Sequence, residues 1–174
     1  MREAWGKVST LPRPAAFRSP ERYTTTILEI AAGLIGTTLV LNLGRPDVAA
    51  GSLNTIRTSL STLRRENGVT VLADCVLDAN KAMDDLFTLD AKPPDWASPE
   101  IATKSEEYAA TLRRCGDTAP SSVRTAPDFR RLIDGALASL AQMPKAVEMR
   151  DADLVHRLLI ELRSFDNLLA FRYG

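Results

Sequence analysis

Residues 27–43 read ILEIAAGLIGTTLVLNL, an apolar run broken by Glu29, Thr37, Thr38 and Asn42. Ile30, Leu34, Ile35, Leu39, Val40 and Leu41 surround a helical axis rather than keeping to one side. A helix apolar all round belongs in lipid or at the centre of a core. The length meets the lower limit for a bilayer span, about 17 residues, and Glu29 stands within a turn of the N-terminal end. Gly33 and Gly36 weaken a soluble helix, whereas paired small residues permit close helix packing in membranes. Two readings stay open: a membrane anchor or retained export signal, packed on lipid or a neighbouring subunit's helix, and a buried helix of a soluble domain.

From Ser52 onward the apolar positions fall into helical periods. Leu53, Ile56, Leu60 and Leu63 form a short stripe ending at Asn67-Gly68, a helix-stop pair. Leu72, Val76, Ala79, Met83 and Leu86 repeat at four and three, with Asp74, Asp78, Lys81 and Asp85 mostly off that line. Ser98-Pro99-Glu100 combines an N-cap residue, a first-turn proline and a carboxylate, so it predicts a helix start. The face Ile101, Ser105, Tyr108, Leu112 follows, with Gly116 as the expected C-cap. Asp128 is placed to cap the next helix, whose stripe is Phe129, Leu132, Ile133, Ala136, Leu137 and Leu140; Pro144 should break or kink it. A last helix opens near Asp151 and carries Leu154, Val155, Leu158, Leu159, Leu162, Phe165, Leu168 and Leu169. No stretch alternates like a strand. The expectation is all-α: an up-down-up-down four-helix bundle over about residues 69–172, preceded by an apolar N-terminal helix. In domain terms, residues 1–50 are a basic segment with the apolar helix and 51–174 are the helical bundle.

Charge changes the picture at two places. Lys plus Arg and Asp plus Glu each number 22, which argues against nucleic acid as a partner. The N-terminal flank, however, carries Arg2, Lys7, Arg13, Arg18 and Arg22 against Glu3 and Glu21. That bias predicts an N-terminus on the cytoplasmic, stromal or matrix side and a bundle on the opposite side of the membrane. Arginine pairs recur at Arg64-Arg65, Arg113-Arg114 and Arg130-Arg131. They read either as helix ends and solvated faces or as docking points for an acidic protein surface, where arginine supplies bidentate contacts.

Candidate chemistry is thin. Cys75 and Cys115 are either a disulfide in an oxidising compartment, should they face each other across the first two bundle helices, or two buried thiols. Zinc, haem-attachment and calcium-loop spacings are absent from the sequence, and His156 is the sole histidine. Asp84-Asp85 and Glu106-Glu107 are adjacent pairs, which splay across a helix rather than converge. Met83, Met143 and Met149 read as packing. The sequence therefore predicts no enzyme, no metal site and no cofactor.

The tryptophan-containing link and helix start "DWASPEIATKSEEYAATLRR", with the ending "SFDNLLAFRYG", resemble the PsbQ-type extrinsic subunits of photosystem II over about residues 69–174. That resemblance implies a four-helix, non-catalytic accessory subunit on the lumenal face of a photosynthetic membrane complex, with protein subunits as partners. It carries over no cofactor ligand. The alternative expectation is a soluble bacterial helical protein, binding a small ligand or partner between helices. For the compartment, the thylakoid lumen side is expected, with periplasmic or mitochondrial inner-membrane placement as alternatives.

Overall fold

The computed structural model describes the backbone of residues 2–90 and 99–174 and the side chains of residues 5–89 and 100–174. The protein is all-α: every regular element among the described residues is a helix. These are α1 (Arg2–Ser9), α2 (Pro20–Asn42), α3 (Pro46–Glu66), α4 (Leu72–Asp90), α5 (Pro99–Thr118), α6 (Ser121–Arg124), α7 (Pro127–Leu140), α8 (Met143–Glu148) and α9 (Ala152–Tyr173). The chain forms two compact units, Met1–Thr70 and Val71–Gly174.

The N-terminal unit is built on a hairpin of α2 and α3. Ser19 caps α2 by accepting from the Arg22 amide at 3.2 Å, and Pro20 occupies the first turn, where its missing N–H costs nothing. At the far end Gly44 takes φ +72°, and the Gly44 and Arg45 amides bond back to Leu41 and Val40. This left-handed cap lets Pro46 start α3 at once. The apolar period predicts a helix only from Ser52; the proline at N1 with Asp47 in the first turn brings the start forward to Pro46. Gly68, at φ +69°, ends α3 with the same pair of bonds, from Gly68 to Arg65 and from Val69 to Arg64. At the hairpin base the Arg18 amide donates to Asn67 Oδ1 at 2.9 Å, and the Arg22 guanidinium holds Glu66 at 3.2 and 3.3 Å.

Gly33 lets the two helices close: a Cβ there would meet Ile56 Cδ1 at 3.2 Å. Residues 27–43, expected to pack on lipid or a neighbouring subunit's helix, have one side packed on α3 of the same chain. This packing also moves the division of the chain from residues 50/51 to Thr70/Val71, since the stripe Leu53, Ile56, Leu60, Leu63 serves the hairpin.

In the C-terminal unit α4 packs on α5 and α9, while α7 packs on α9 and α5. Their predicted stripes supply the core. Val76, Ala79, Met83 and Leu86 of α4 are buried, as are Ile101, Ser105, Tyr108 and Leu112 of α5. Phe129, Leu132, Ile133, Ala136 and Leu140 of α7 and Val155, Leu158, Leu159, Leu162 and Leu169 of α9 join them. Leu137 is half-buried at the margin. The chain leaves α7 at Leu140, and Pro144 sits in the first turn of the short α8, whose Met143 and Ala146 complete the core. Asp151 caps α9, accepting from the Leu154 amide at 3.0 Å.

Three local expectations are corrected. Gly116 does not cap α5; the helix continues to Thr118 and stops before Pro120, which disfavours helix in the residue preceding it. Asp128 stands in the first turn of α7, but the cap residue is Ala126, without a side-chain bond. Asp74, placed off the stripe by its spacing, is buried and accepts from the Val71 amide at 3.4 Å, ahead of α4. Ser98, with the Asp95-Trp96 part of the resembling stretch, lies outside the described residues.

Candidate functional site

The side of α2 turned away from α3 carries large apolar groups in the open. Leu28, Ile35 and Leu39 are 64%, 59% and 58% exposed, and they share one face because they recur at seven and four residues. Thr38, beside them, spends its hydroxyl on the Leu34 carbonyl at 2.9 Å. Thr37 does the same with Gly33 at 2.8 Å on the α3 side. Both threonines thereby satisfy their polar groups inside the helix, and the outer face presents little that needs water. From Ile30 to Gly44 the chain has no charged side chain. α2 is long and apolar enough to cross a membrane, with mean hydropathy 1.6 over its best window.

Between α2 and α3 runs an open groove of about 460 Å³. Gly33, Gly36, Ser52 and Ser59 make it wide, and Glu29 stands on its wall. The two glycines singled out in the sequence thus serve the hairpin: Gly33 by close approach to Ile56, and Gly36 by leaving space that nothing fills within 4 Å.

A second chemistry, unmarked in the sequence reading, lies inside the C-terminal unit. Asp166 of α9 is 2% exposed. Its Oδ1 accepts from Asn80 Nδ2 of α4 at 2.9 Å and from Tyr108 Oη of α5 at 3.5 Å. The Arg163 guanidinium lies 3.7 Å from Oδ2, donates to Asp84 at 2.5 Å and rests over the Phe87 ring at 5.3 Å. Burial pushes the Asp166 carboxyl above the ordinary carboxylate range, although Asn80 and Arg163 pull the other way. Burial also raises the Tyr108 phenol, with the Asp166 charge and hydrogen bond adding to it. One carboxylate therefore ties three helices. The signal was present in the spacing: Asp166 occupies a stripe position between Leu162 and Leu169.

Cys75 and Cys115 are joined by a disulfide linking α4 to α5, with Cα atoms 5.4 Å apart. Three of the paired arginines hold carboxylates of the same chain. Arg114 reaches Asp78 of α4 at 3.3 Å, Arg130 holds Asp134 at 2.6 Å and Arg131 lies 3.6 Å from Asp128. Arg64 and Arg65 occupy the last turn of α3, the end that favours cations. Arg113 and Arg114, by contrast, precede the end of α5, and Arg130 and Arg131 stand near the start of α7, where acidic neighbours offset the helix dipole. Arg113 is exposed. Met83 and Met143 are core, Met149 is largely exposed, and His156 is exposed. Among the described residues no group of three or more His, Cys, Asp or Glu side chains could hold a metal ion.

Comparison of the chain with protein-family models, with curated proteins and with solved structures finds no match.

Proposed function

We propose that the protein is a non-catalytic accessory subunit of a membrane protein complex. The N-terminal unit would hold it at the bilayer, and the C-terminal unit, read as an up-down-up-down four-helix bundle, would dock on partner subunits. The observation that carries this reading is the bare outer face of α2. Leu28, Ile35 and Leu39, each a little over half exposed, give up about 1–2 kcal/mol each when left in water, a cost that lipid or an apolar partner removes. The Cys75–Cys115 disulfide supports an oxidising compartment for the C-terminal unit, as in a lumen or periplasm. The likeness to PsbQ-type subunits extends the proposal to the lumenal face of a photosynthetic complex.

The test is tagged protein recovered from its own cells under mild detergent and, separately, after alkaline carbonate washing of the membranes. The reading expects co-purification with a defined set of membrane subunits. Recovery alone, in the soluble fraction, would overturn it and favour a free helical binding protein.

A further inference from the structure

We infer that α2 meets the membrane lying in the plane of an anionic bilayer surface, as one arm of a closed hairpin, and does not cross. This rests on the membrane reading above and specifies its geometry. The hairpin base is tied by Arg18 to Asn67 and by Arg22 to Glu66, so residue 67 returns beside residue 18. A crossing α2 would have to take α3 with it or shed it. α3 is unfit for hydrocarbon, for it carries Asn54, Arg57, Thr58, Ser61 and Thr62. Shedding it would break the Gly33–Ile56 contact and the base ties together.

An in-plane helix needs one apolar face, shallowly buried, with polar groups directed away. That is the disposition here. Leu28, Ile35 and Leu39 point outward, while Glu29 and Thr37 line the groove on the α3 side. Charge selects the occupant: the chain leading into the apolar part of α2 carries Arg2, Lys7, Arg13, Arg18 and Arg22 against Glu3 and Glu21, an excess that suits anionic headgroups. The N-terminus and the start of the second unit then leave the hairpin from the same end. This replaces the topology expected from the sequence, in which they lay on opposite sides.

The test uses the full chain with Trp5→Phe and Trp96→Phe, and a single tryptophan in place of Leu28, Ile35 or Leu39. Brominated-lipid quenching in vesicles of phosphatidylcholine with phosphatidylglycerol reads the depth of each. The inference expects three equal, shallow depths, and binding that falls at least tenfold when phosphatidylglycerol is omitted. In a crossing helix the three sites are spread over roughly 16 Å along the axis, with position 35 deepest. That graded result would overturn the in-plane geometry and leave the membrane reading standing. No quenching at any position would overturn both. So would shielding of position 35 without vesicles, coupled to a doubled mass by light scattering, which would mean that a second copy covers the face.

Discussion

Replacing Asp166 separates what a buried carboxylate contributes by hydrogen bonding from what its charge costs. Asp166→Ala leaves Asn80 Nδ2 and Tyr108 Oη, now bonded at 2.9 and 3.5 Å, without their acceptor in the core. Each orphaned buried donor costs about 1–3 kcal/mol; the removed charge gives part of that back, so the net loss should be roughly 2–4 kcal/mol. For a unit of this size that is a fall in Tm of about 10 °C or more. Asp166→Asn keeps an oxygen for both donors and removes the ionisation, so its stability at neutral pH should match or exceed that of the unsubstituted protein. The pH dependence follows from the direction of the shift. Because the folded-state carboxyl is raised, its contribution is fully present below the unfolded value, about 4, and is lost as pH rises through the folded value. Asp128, held low by Arg172, behaves oppositely: its contribution is present above about 4 and fades only at lower pH. Between about pH 4 and neutrality the Asp166 effect is therefore not masked by Asp128, and thermal unfolding followed by far-UV circular dichroism should show stability rising as pH falls. Asp166→Asn should flatten that slope. An alanine variant as stable as the unsubstituted protein, or an asparagine variant with an unchanged slope, would refute the reasoning.

Two further expectations concern the same unit. Converting both Cys75 and Cys115 to alanine opens a loop spanning 40 residues and should cost about 3–4 kcal/mol in the chain-entropy account, read as a lower urea midpoint; alkylation of two thiols in the unreduced native protein would contradict the bond itself. Ser105 Oγ is buried with no hydrogen-bond partner, so Ser105→Ala should raise stability by about 1 kcal/mol, and a fall in Tm would show that the hydroxyl is satisfied.

The long helices of the C-terminal unit, α4, α5, α7 and α9, are readable because each buries an apolar stripe, whereas the short α6 falls in a stretch whose composition reads as a loop and α8 is too short to show a period. On α5, Ile101, Ser105, Tyr108 and Leu112 all end in the core, as their spacing requires. What spacing does not contain is the identity of the partner. The stripe Leu53, Ile56, Leu60, Leu63 has the same period as Leu72, Val76, Ala79, Met83. Nothing local says that the first closes on α2 and the second on α5 and α9. Gly33 was legible as a close-packing residue, but its neighbour proved to be Ile56 of the same chain. Asp166 went unread because an isolated carboxylate within an amphipathic helix is ordinarily solvated. Its burial follows from Asn80 and Tyr108, which the fold brings from 86 and 58 residues away. Charge counting marked the arginine pairs, whereas their acidic partners Asp78, Asp134 and Asp128 became visible only with the helices in place.

The central claim is that the outer face of α2 is the surface by which the protein holds a membrane. Flotation with phosphatidylcholine–phosphatidylglycerol vesicles measures this directly, comparing the full chain with a Leu28→Ser, Ile35→Ser, Leu39→Ser triple variant. The three side chains together remove several kcal/mol of apolar transfer, so binding should weaken at least a hundredfold while the circular dichroism melt of the C-terminal unit stays unchanged. Equal flotation of the two proteins, or no flotation of the unsubstituted chain, would contradict the account.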